Sequence, residues 1–151
     1  MRGLPAVLLA AAALNGGCGG SDGGFSSASQ ATETLAGSWR ATKAEYTNRS
    51  NASQKVDIVA RGSVVTLVLE AGGAFRLTIV DPGQAGNVVS GSWTASRDVL
   101  TIRIAGQNGE SQFDMALSGS TLALTGGHQL FDVNDDGAGE ECVLDMTLGR
   151  Q

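Results

Sequence analysis

From about residue 35 onward, apolar residues recur at every second position. That period places one set of side chains on the buried face of a sheet. In residues 74–79, Phe75, Leu77 and Ile79 fall on one side, and Arg76 and Thr78 on the other. Residues 98–104 repeat the pattern with Leu100, Ile102 and Ile104. Residues 111–117 set Phe113, Met115 and Leu117 against Asp114. Residues 121–125 alternate Leu122 and Leu124 with threonine, and residues 141–149 place Cys142, Leu144, Met146 and Leu148 on one face. No helical stripe competes with this rhythm. The stretch 46–53 is polar and reads as a loop, and residues 55–60 fit either a strand or a turn of helix.

Turn chemistry separates the runs. Ala71-Gly72-Gly73, Gln107-Asn108-Gly109 and Ser118-Gly119 each lie between two strands, Asp81-Pro82-Gly83 ends one, and Gly126-Gly127 marks a further turn. Short strands with short connections predict that neighbours in sequence are neighbours in space. The expected fold is all-β and antiparallel, a sandwich or a barrel, with an up-and-down arrangement following more easily than a Greek key.

Gly37-Ser38-Trp39 recurs as Gly91-Ser92-Trp93. A glycine two residues before a tryptophan lets a backbone or ring approach closely, so both tryptophans are expected as core anchors. A second use of Trp93 is as part of a ligand-binding interior.

The amino-terminal end follows different rules. Arg2 precedes an apolar run from Leu4 to Leu14, which is too short to span a bilayer and reads as a signal peptide over residues 1–17. Residues 18–34 are rich in glycine and serine and read as a flexible tether. The barrel domain is expected over residues 35–151. The formal charge of −5 argues against nucleic acid as a partner, because phosphate binding needs a basic surface. Of the two cysteines, Cys142 falls on an inward strand position and is expected to be a buried, inert thiol.

Gly16-Gly17-Cys18 resembles the end of a bacterial lipobox, although Asn15 stands where an aliphatic residue is usual. The resemblance implies a diacylglycerol on Cys18 and a membrane anchor in the cell envelope. Gly19 after the cysteine points to the outer membrane where two membranes exist. Over residues 35–150 the chain resembles bacterial lipocalin-like lipoprotein domains. The resemblance rests on Leu35-Ala36-Gly37-Ser38-Trp39, the hairpin Glu70-Ala71-Gly72-Gly73-Ala74-Phe75, Trp93, and the closing strand to Arg150. It implies an all-β, antiparallel, up-and-down barrel of about eight strands, closed or nearly closed. Some such proteins bind a small apolar molecule inside the barrel, and here Phe75, Leu77, Trp93, Phe113 and Met115 are the candidate contacts. The alternative is a filled barrel acting as a structural or interaction module.

Residues 131–142 read FDVNDDGAGEEC. Asp132, Asn134, Asp136 and Gly137 match the start of a calcium loop, but the twelfth position is Val143 instead of glutamate. A helix-loop-helix calcium hand is thereby excluded. A looser calcium site from Asp132, Asn134, Asp136 and Glu140 stays open beside a plain hairpin tip. Carboxylates crowded into one wet turn do not make the split pair of a glycosidase. His128 is the sole histidine and is expected at a strand start, on the surface or rim. No nucleophile elbow, phosphate loop or Cys/His metal spacing occurs. The sequence therefore predicts no cofactor and no catalytic residues.

Overall fold

The computed structural model describes residues 28–151. The expected signal peptide, Cys18 and the first part of the tether lie outside the described residues. Nine strands are present among the described residues: β1 (Gly37–Asn48), β2 (Lys55–Asp57), β3 (Val64–Leu69), β4 (Ala74–Val80), β5 (Asn87–Ser96), β6 (Val99–Ile104), β7 (Ser111–Ser118), β8 (Thr121–Phe131) and β9 (Glu140–Arg150). All pair antiparallel in the order β2-β1-β3-β4-β5-β6-β7-β8-β9, and β1 also pairs with β9. That last pairing closes an eight-stranded barrel, with β2 as an extra strand on β1. The up-and-down arrangement is the one expected from the short connections.

The barrel has two unlike ends. At the lower end, tight turns join β3 to β4, β5 to β6 and β7 to β8. Here Trp39, Leu69, Trp93, Leu100, Leu122, Leu124 and Leu148 are buried and fill the interior. Both tryptophans are core anchors, as their glycine-led motifs predicted. At the upper end the connections 49–63, 81–86, 105–110 and 132–139 are longer.

Residues 28–34 correct the expected tether. They belong to a helix, α1 (Ala28–Leu35), which packs against β5 and covers the lower end. Ala31 and Leu35, one helical turn apart, are fully buried. An isolated eight-residue helix is marginal in water, so tertiary contacts make this one. Trp39 Nε1 donates to the Leu35 carbonyl at 2.9 Å, and Arg150 donates to the carbonyls of Thr34 and Ala36. These bonds satisfy carbonyls that a helix end leaves without partners.

Two β-bulges change which residues face inward. In β1 the register shifts between Ala41 and Lys43, and in β8 between Leu124 and Gly127. After the first, Ala44, Tyr46 and Asn48 point inward, so residues 46–48 are strand and not the predicted loop. Asn48 is satisfied there by Gln54 and by the turn amides of Ser50 and Asn51. The second bulge absorbs Gly126-Gly127, so this pair bends a strand instead of ending one. His128 accordingly lies within β8, exposed, and not at a strand start. The ambiguous residues 55–60 divide into β2 and a following turn. Asp57 Oδ1 pins that turn by accepting from Ala44, Val59 and Ala60 amides.

Candidate functional site

Above the filled layer the barrel is hollow. A cavity of about 520 Å³ opens toward the long loops. That lies within the range of small-molecule sites. Its walls include Phe75, Leu77, Ile79, Val89, Phe113 and Met146. Two rings narrow it, and each rests where a glycine leaves space. A Cβ on Gly91 would lie 2.9 Å from Phe75 Cε1 and 1.9 Å from the Arg103 carbonyl oxygen; one on Gly127 would lie 1.9 Å from Phe113 Cε1. The glycine of the second Gly-Ser-Trp motif thus does what the motif predicted, and the ring it admits belongs to the cavity.

Of the five predicted contacts, Phe75, Leu77 and Phe113 line the cavity. Trp93 and Met115 do not line it. Both face inward, but in the filled lower layer. Trp93 Nε1 is held by the Glu70 carbonyl at 3.0 Å, and Met115 pairs across the sheet with Leu124. The sequence reading missed Tyr46, Ile58, Val89 and Phe131, all of which line the space.

The polar groups gather at the mouth. Tyr46 stacks on Phe131, with centroids 4.0 Å apart and planes 11° from parallel. Burial pushes its phenol up to about 12, with the charges of Cys142 and Asp81 adding to the effect. The phenol is therefore a neutral donor at any physiological pH. Its hydroxyl makes no hydrogen bond among the described residues. Ser63 donates to Asp81 at 2.5 Å. Arg61 reaches Asp135 at 3.5 Å, an exposed contact that ties the β1–β3 connection to the acidic loop.

A second recess, of about 430 Å³, lies beside the first, between the upper ends of β6 and β8. It exists because β7 begins only at Ser111, opposite Ile102, while β6 runs on to Ile104. The two recesses share Ile102, Ile104, Gln129 and Leu130. Gln129 donates to Ser111 Oγ, and Ser111 to the His128 carbonyl, so side chains bridge this gap in the ladder. Cys142 also faces the recess. It is a free, buried thiol, as predicted, and burial followed by the Glu140 charge raises its pKa. Such a thiol is a poor nucleophile.

The acidic stretch forms the loop from β8 to β9. One oxygen each from Asp132, Asp136 and Glu140 lies within 4.8 Å of the others, so three of the four predicted calcium ligands do come together. The same carboxylates accept backbone amides. Asp132 takes those of Asp136 and Gly137, Asp136 takes Ala138, and Glu140 takes Val133. Asn134 also caps Asp136. Asp135 and Gly137 adopt left-handed backbone, at φ 59° and 88°. The loop is a turn closed by its own side chains.

No known protein-family model and no curated protein matches the chain. Among solved structures it is similar to one described as EF1p2_mFAP2b bound to DFHBI. The two are 19% identical, the match covers 83% of this chain and 100% of that one, and the TM-score is 0.48.

Proposed function

We propose that this protein is a non-catalytic, lipocalin-like binder of a small apolar molecule, exported and held in the cell envelope by a lipid on Cys18. The observation that carries the binding half is the hollow upper barrel, about 520 Å³ with Phe75, Leu77 and Phe113 in its walls. An eight-stranded barrel is either filled by side chains or holds one small ligand; this one is filled below and open above. The anchoring half rests on the apolar leader and Gly16-Gly17-Cys18. An outer-membrane site follows from the same segment and from Gly19.

N-phenylnaphthylamine, a neutral dye that brightens in apolar sites, tests the first half. Bright, saturable emission is expected with the native chain. Val89→Trp, which fills the cavity, removes it; Val88→Trp, on the exposed outer face, leaves it. Absence of emission from a folded native chain sinks the binder. Mass spectrometry tests the second half: diacylglycerol is expected on Cys18, and an unmodified thiol there rejects the anchor.

A further inference from the structure

We infer that the cavity selects uncharged amphiphiles with a hydrogen-bond-accepting end and discriminates against anionic ones, the acidic loop serving as its electrostatic gate. The inference rests on the binding function proposed above and adds the class of ligand.

The charges around the entrance carry it. Among the described residues, one basic side chain lines the cavity, Arg61, against two carboxylates, Asp81 and Asp135. Arg61 already faces Asp135 at 3.5 Å. The loop that bears Asp135 also bears Asp132 and Asp136, with Glu140 and Glu141 at the start of β9. Arg49 at the neighbouring recess is likewise taken, by Glu141 at 3.1 Å. Among the described lining residues, an incoming carboxylate thus meets one cation that is already paired and two carboxylates, with further acids on the same loop. Bringing an anion there costs Coulomb energy and strips its hydration with no free cation to replace it.

A neutral head meets different chemistry. Tyr46 lines the cavity, and its hydroxyl has no partner among the described residues. Its ring is fixed by the stack on Phe131, so the donor is held in place before a ligand arrives. Below it the walls are apolar. A tail that enters ends on Phe75 and Phe113, and an acceptor at the other end reaches Tyr46. The five acids of the loop and β9 start, which the fold alone needs only in part, acquire a role in choosing what enters.

Decanol and decanoate share a tail and differ in the head. Their affinities for the full-length protein are measured at neutral pH, by displacement of N-phenylnaphthylamine with a chelator present. Decanol is expected to bind at least about threefold more tightly than decanoate, and added salt narrows the gap. Tyr46→Phe keeps the ring stack and is expected to weaken decanol about three- to tenfold. Asp135→Asn is expected to favour decanoate relative to decanol. Decanoate binding as tightly as decanol, or more so, overturns the selection while leaving the binding function standing. Dye binding without displacement by either ligand also overturns the selection alone. Failure of the dye itself to bind removes both.

Discussion

Phe113 occupies the space that a side chain at position 127 would need: a Cβ on Gly127 would lie 1.9 Å from Cε1 of Phe113. The pair joins β7 to the bulged part of β8 and sets the height at which the filled layer gives way to the cavity. Gly127→Ala must push the ring away. We expect a loss of about 1–3 kcal/mol in urea unfolding, typical of overpacking. Phe113→Leu in the same chain should recover part of it, and a double-mutant cycle reads that coupling. Additive losses would show that the ring and the glycine do not meet.

Tyr46 makes stability fall at alkaline pH. It is the single tyrosine of the chain, so tyrosinate absorbance reports on it alone. In the unfolded chain the phenol ionises near 10.0, and in the fold near 12. The folded state therefore retains a proton that the unfolded state gives up. The stabilisation is complete below pH 10 and is lost as pH rises toward 12. Its size is on the order of 2 kcal/mol. The expected result is a late tyrosinate transition in the folded protein, and a stability curve whose alkaline decline flattens in Tyr46→Phe.

Arg150 holds the lower cap. Its guanidinium sits 4.3 Å from the Trp39 ring centroid and binds two carbonyls at the end of α1. Arg150→Ala should cost about 1–2 kcal/mol in thermal or urea unfolding. Arg150→Lys should recover little, since one ammonium does not reproduce a planar fork stacked on a ring. Protection of the α1 amides from hydrogen exchange should fall in the same variant.

Asp132 is the keystone of the acidic turn, accepting two backbone amides. Asp132→Ala should cost about 1 kcal/mol with a chelator present, the usual size for a lost side-chain cap. Asp132→Asn, which keeps an acceptor, should cost less. Equal melting midpoints for native and Asp132→Ala protein would show that the turn does not depend on those bonds.

The strands were legible wherever the two-residue rhythm ran unbroken, as in Phe75-Leu77-Ile79 and Leu144-Met146-Leu148. It failed where an extra residue reversed the phase. In β1 the inward set passes from Trp39 and Ala41 to Ala44, Tyr46 and Asn48; in β8 it passes from Leu122 and Leu124 to Gly127, Gln129 and Phe131. Both halves of the Tyr46–Phe131 stack lie beyond such a reversal, so strict alternation could not find them. Periodicity also says which way a residue faces but not how high it sits. That is why Trp93 and Met115 share the inward pattern of Phe75, although they lie in the filled layer below the cavity. The helix α1 had the weakest signature, with two buried apolar residues, Ala31 and Leu35, in a helix that packs on β5.

The pairing of β1 with β9 joins the earliest strand to the latest, matching Arg40 with Gly149. A chain emerging amino-terminus first therefore carries β1 with one flank bare until its final strand arrives. Contacts so distant along the chain make slow folding, and a bare strand flank invites strangers. Loss of β9 would leave two adhesive rims in place of a smaller cup.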